Sequence, residues 1–293
     1  MSNIIRLISA LLTYLFDIYH KYVNLEPLMD GGIHVAIKAE QLTQWMGIPI
    51  TNALLMSWVV VLLLCTFALL TRYRLKLVPS KVQLTIEMMF ESVFNFVADT
   101  LESKILAKRF FPLITTIFLF IFTANMLEFT PGVGSIGFLA HQVATTAGEN
   151  SHTEFIPLFR SMSTDLNMTL ALAIISFLVI EISGILMFGF FKYFHRFLPL
   201  GAFKHGIGNG LTMLFVGVIE FASELIRLIS FSFRLFGNIF AGEVLIAVAI
   251  YFAPFILPVP FMAFEVFVGF IQAAIFAILT LFFIKLSVTE PAH

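Results

Sequence analysis

Charge is scarce in this chain: 12% of its 293 residues are Asp, Glu, Lys or Arg, against about 25% in soluble domains. Cysteine is nearly absent. The single Cys65 excludes an intrachain disulfide and a thiolate metal cluster, and it is read as packing in a membrane helix. Neither sign of charge is in excess, with a formal net charge of −1, so nothing points to nucleic acid. No internal repeat, low-complexity tract or inverted symmetry of the kind many secondary transporters carry is visible. Regular alternation of apolar and polar residues is missing too, which argues against a membrane barrel. What the chain has instead is apolar surface: 59% hydrophobic residues, 36 of the 293 being Phe, and a mean hydropathy of +0.98. That is the composition of an all-α polytopic membrane protein, a single helical bundle at this length.

Five segments are apolar enough to be membrane-embedded helices: 53–70, 110–129, 166–191, 208–252 and 261–288. Glu128 stands at the far end of the second and Glu181 near the middle of the third. The fourth is too long for one perpendicular crossing, over about 60 Å as a single helix. Pro254, Pro258 and Pro260 break the chain after it, so the last two segments are expected to form a long, strongly tilted hairpin. Residues 79–104 carry Leu84, Met88, Glu91, Phe94, Val97 and Leu101 in a mixed but helical pattern interrupted by Glu87, Asp99 and Glu102. They are expected to form an amphipathic helix along the interface, with a soluble linker helix as the alternative. Residues 51–293 thus make one membrane domain, and 1–50 stand apart. Residues 1–23 are apolar-rich with no small-x-small cleavage site after them, and are read as an uncleaved surface helix.

Basic residues set the orientation. Arg72, Arg74, Lys76, Lys81, Lys104, Lys108 and Arg109 lie between the first two spans, and Lys192, Arg196 and Lys204 between the third and fourth. The intervening loop, 130–165, holds only Arg160. Positive charge stays inside, so the N-terminus is expected outside and the C-terminus in the cytoplasm.

The few ionisable groups inside the last two spans are functional candidates by default. At 100° per residue, Glu220, Arg227 and Arg234 fall on one helical stripe and Asn238 joins it, while Glu243 faces the other side unless Gly237 and Gly242 distort the helix. Glu265 and Gln272 share a face of the last span. Glu224 and Arg227 read first as a neutralising ion pair, and Glu181 as either a channel group or a buried protonated carboxyl. Arg234 is the residue that needs explaining. A guanidinium stays protonated, and no acid stands three or four residues away in either direction. Glu220 is roughly 21 Å from it along the axis and Glu243 roughly 14 Å the other way. Protonatable groups on either side of a permanent cation suit two separate proton paths with a barrier between them. A carboxylate arriving on a partner would be driven to release its proton there.

Residues 234–243 read Arg-Leu-Phe-Gly-Asn-Ile-Phe-Ala-Gly-Glu, and here the chain resembles subunit a of F-type ATP synthases. Ile219-Glu220, Ile271-Gln272-Ala273, Phe111-Pro112-Leu113 leading to Ala124-Asn125, Thr164-Asp165-Leu166-Asn167-Met168-Thr169 and Pro79-Ser80-Lys81-Val82-Gln83 extend the resemblance over about 51–287. It implies a non-catalytic proton-channel stator subunit, one copy in a large complex, with a ring of c subunits and peripheral-stalk b subunits as partners and no cofactor. It implies that Arg234 meets the ring carboxylate with Gln272 nearby, and that Glu220 lines the inside half-channel. Asn125, Glu128, Asp165, Asn167, Glu243 and Glu265 would line the outside one.

Some bacterial members of that family have histidine where Glu265 stands, and mitochondrial members often have it where Glu243 stands. Glutamate at both positions removes an imidazole relay and leaves two carboxylates that share a proton if they are close. Glu243 favours a bacterial inner membrane or a chloroplast membrane over a mitochondrial one. The rival classes are a self-contained ion-coupled transporter, with Arg234 as anion clamp, and a structural membrane scaffold. Co-purification of a small, very hydrophobic oligomeric ring separates them. The coupling ion depends largely on the ring's own carboxylate site, which is not in this chain.

Overall fold

The computed structural model describes residues 39–289, apart from 46, 77, 131–132, 135, 142–152, 198–206 and 255. The surface helix expected at 1–23 lies outside the described residues. Among the described residues seven α-helices follow one another: α1 (Asn52–Arg74), α2 (Lys81–Leu101), α3 (Lys104–Leu127), α4 (Leu166–Phe188), α5 (Phe190–Phe197), α6 (Ile207–Phe252) and α7 (Pro258–Val288). All but α2 and α5 are long and apolar enough to cross a membrane, which makes five candidate spans. The protein is therefore a mostly helical, multi-pass membrane protein.

Local chemistry sets the helix ends. Thr51, Ser80, Ser103 and Asp165 are the N-caps of α1 to α4, each side chain accepting a hydrogen bond from an otherwise unpaired first-turn N–H. Gly189, at φ 83°, stops α4. The third apolar segment thus ends at Phe188 rather than 191, and α5 folds back as a separate short helix. Pro258 begins α7. The sequence pattern suggested a start at 261, but a proline in the first turn removes only a donor that has no helical partner. Residues 253–257 alone join the two long arms.

α3 packs most extensively against α7, α4 lies against both α6 and α7, and the two arms pack on each other. Ile114, Ile180, Leu281 and Ile284 anchor one cluster, on which Val97, Ala98 and Leu101 of α2 settle. Ile121, Ala173, Phe231, Leu235 and Phe276 form the next. Leu62, Phe67, Leu178 and Phe233 point outward, as residues facing lipid do. Where α2 meets the end of α7, Lys285 Nζ donates to Glu102 Oε1 at 2.7 Å, and that hydrogen bond with its charge holds the Glu102 carboxyl below the usual carboxylate range.

The helix pattern did not foretell two short antiparallel hairpins. β1 (Gln41–Trp45) pairs with β2 (Ile48–Thr51) across Gly47, whose φ is 82°. β3 (Gly137–His141) pairs with β4 (Thr153–Pro157) in the register Gly137↔Pro157 and His141↔Thr153. Asn52, buried at the start of α1, donates from Nδ2 to Pro157 O at 3.3 Å. That bond brings the end of β4 to the end of the bundle where α1 begins.

Candidate functional site

α6 runs unbroken through Gly237 and Gly242, so neither glycine interrupts it. Arg234 stands near the middle of this helix, half-buried, with its guanidinium 6.0 Å from the Phe231 ring. Among the described residues it has no ion pair and no hydrogen bond. Its surroundings are braced instead. One turn on, Asn238 Nδ2 donates to Gln272 Oε1 of α7 at 2.9 Å. Just before it, Ser232 Oγ and Thr169 Oγ1 of α4 lie 3.2 Å apart.

A second group of polar residues gathers where α3 ends and α4 begins. Asn125 is wholly buried; its Nδ2 donates to Gly269 O at 3.1 Å and its Oδ1 accepts from Ser163 Oγ at 2.8 Å. This one amide ties α3, α7 and the short turn Met162–Thr164 together. Glu265, one helical turn before Gly269, is 4% exposed and its Oε1 has no hydrogen-bond partner. Its carboxyl fills the space that a Cβ at Gly242 would occupy. Gly242 thus leaves the space that seats this carboxyl, and it makes no kink in α6.

Glu128 follows the last residue of α3, with Oε2 buried and unpaired. Glu243 pairs with Arg160, Nη2 to Oε2 at 3.1 Å. Glu128 is in electrostatic reach of Glu243, Glu265 and Arg160 together. Three acids and one cation from α3, α6, α7 and the connecting segment therefore share one neighbourhood. They are not arranged as a metal site, nor is any group of three or more His, Cys, Asp or Glu among the described residues.

The structure sorts the remaining candidates. Asp165 is buried and caps α4, accepting from Asn167 N at 3.0 Å, while the Asn167 side chain is exposed. Glu220 lies in the opposite direction along α6, roughly 21 Å from Arg234, and is half-buried. Arg227 places its guanidinium 3.8 Å from the Phe283 ring of α7, a cation–π contact. Glu181 accepts a 2.9 Å hydrogen bond from Tyr193 Oη, and the Tyr193 ring occupies the space left by the missing side chain of Gly184.

Sequence reasoning gave Arg160, Ser163, Thr169, Ser232 and Tyr193 no place in the site. Arg160 did carry a signal: it is the lone basic residue of an otherwise cation-free loop.

The family model of the ATP synthase A chain matches residues 54–285. ATP synthase subunit a of Campylobacter concisus is 30% identical over 234 residues, covering 80% of this chain and 88% of that protein. The protein of the same description from Campylobacter jejuni strain 81-176 is 32% identical over 235 residues, covering 80% and 89%. That from Moorella thermoacetica is 27% identical over 237 residues, covering 81% and 90%.

Proposed function

The chain belongs to the family of ATP synthase subunit a, a membrane-sector subunit of F-type ATP synthases, and from that premise we propose that it is a non-catalytic proton channel with two offset half-channels. Protons enter from outside past the group formed by Asn125, Glu128, Asp165, Asn167, Glu243 and Glu265. They load a carboxylate on a rotating ring of c subunits. After nearly a full turn through lipid, each carboxylate reaches Arg234 and discharges toward Glu220 on the inner side. Asn238 and Gln272 brace the helix beside the arginine. Peripheral-stalk b subunits hold the chain still against the ring, in a bacterial inner membrane with the N-terminus outside and the C-terminus in the cytoplasm.

The observation that carries the reading is Arg234, a permanent cation in a membrane-spanning helix with no internal counter-charge among the described residues. A cation at that depth in a membrane-spanning helix is costly, and a carboxylate brought to it by a partner offsets the cost. It also bars a direct leak, because a guanidinium does not pass a proton on. The gathering of Glu128, Glu243 and Glu265 on one side of Arg234, with Glu220 on the other, supports two separate paths.

The test is ATP-driven proton pumping in inverted membrane vesicles that carry the whole complex. Arg234→Ala is expected to abolish it. Arg234→Lys is expected to restore it only in part, since lysine loses its charge more readily on burial and lacks the planar fork. Normal pumping by Arg234→Ala overturns the reading.

A further inference from the structure

Resting on the outer half-channel just described, we propose that Arg160 is a positioning residue of proton entry: the fixed counter-charge that pairs with Glu243 and leaves Glu128 and Glu265 to take up and pass on protons. Its side chain is only 8% exposed, and its Nη2 lies 3.1 Å from Glu243 Oε2. The two residues are 83 apart in sequence, so this contact ties the connecting segment to the long hairpin. Glu128 and Glu265 each present a buried carboxyl oxygen with no hydrogen-bond partner. Glu128 interacts electrostatically with Glu243, Glu265 and Arg160 at once.

Charge balance follows from these positions. Among the described residues, the ionisable groups of this neighbourhood are Glu128 at the end of α3, Glu243 on α6 and Glu265 on α7, with Asp165 at the start of α4. Asp165 is committed to the α4 N-terminus by its capping bond, where the helix dipole favours a negative charge. Arg234 is roughly 14 Å from Glu243 along α6, too far to compensate the group. One guanidinium balances one carboxylate, and an uncompensated buried charge is strongly disfavoured. The exchangeable protons are therefore placed on Glu128 and Glu265, whose buried carboxyl oxygens have room to carry them. Arg160 cannot relay a proton itself. It fixes how many protons the cluster keeps, so each one handed inward is replaced from the outer water. Only O–H bonds break and form in this exchange.

The experiment uses membranes carrying the complex with its catalytic sector stripped off, and follows passive proton flow from the outer side against pH. Arg160→Gln is expected to slow entry several-fold and to move the pH profile upward by at least about one pH unit, the usual consequence of removing an opposite charge beside a carboxyl. Arg160→Lys keeps the charge and is expected to keep the profile. A purely structural role would not produce that split. Arg160→Gln with Glu243→Gln removes the stranded anion as well, and is expected to conduct better than Arg160→Gln alone. If Arg160→Gln does not assemble, the double variant decides, and its failure to assemble overturns the inference. So does an unchanged pH profile in Arg160→Gln while Glu243→Gln and Glu265→Gln still slow entry. If those two glutamate variants conduct normally, the half-channel reading itself fails.

Discussion

Gly242 shows what a single missing side chain does in this protein. The Glu265 carboxyl occupies the volume its Cβ would take, so Gly242→Ala must displace an acid that is 4% exposed. What must move is the far end of a flexible side chain, so the cost to folding is small. Here the displaced group is a proposed proton carrier, so Gly242→Ala is expected to slow proton entry more than it lowers thermal stability. Shortening the acid with Glu265→Asp should recover part of the flow in the same chain. Equal flow in Gly242→Ala and wild type would refute this account. Asp165 offers a second residue-scale test, because it both caps α4 and is proposed to line the entry path. Asparagine caps about as well as aspartate, whereas alanine costs about 1 kcal/mol. Asp165→Asn should therefore leave thermal unfolding near wild type while reducing proton entry, and Asp165→Ala should lower both. A melting temperature for Asp165→Asn as low as that of Asp165→Ala would show that the carboxylate charge, rather than the capping bond, stabilises the helix start.

At the scale of elements, the helices were legible because lipid imposes long continuous apolar runs, and these need no knowledge of neighbours. The hairpins were not, since strands of five and four residues leave too little pattern to read. Partners across the bundle were equally hidden. Asn125 reaches Gly269 over 144 residues, and Tyr193 reaches Glu181 by way of a turn at Gly189 that ends one helix and starts another. The family motif named most of the acids but not the cation among them. Length itself remains informative. α6 has 46 residues and α7 has 31, about 69 Å and 46 Å of helix, against a hydrocarbon core of about 30 Å. Both arms are expected to lie strongly inclined to the membrane normal and to curve along the ring. Electron cryomicroscopy of the complex in a lipid nanodisc measures this directly, and arms within about the usual 20° tilt would refute it.

For the whole molecule, the placement of charge says more than its amount. Acids from three helices meet near one end, a lone guanidinium stands mid-helix, and another acid lies beyond it. Glu243 and Glu265 reach the first group from opposite arms of the hairpin. Glu243 does so through its contact with Arg160, and Glu265 through its seat against Gly242. Both act electrostatically on Glu128, so the protonation of either changes what Glu128 experiences. Groups coupled this way do not give additive losses. Glu243→Gln is expected to slow proton entry by stranding the Arg160 charge, and Glu265→Gln by removing a carrier. Both removals act on the same group around Glu128, so the double variant should be much less than additively worse. Proton flow from the outer side in membranes of the four forms measures this in one cycle. Fully additive losses would mean that the two glutamates are separate wall residues, with no proton or charge held between them.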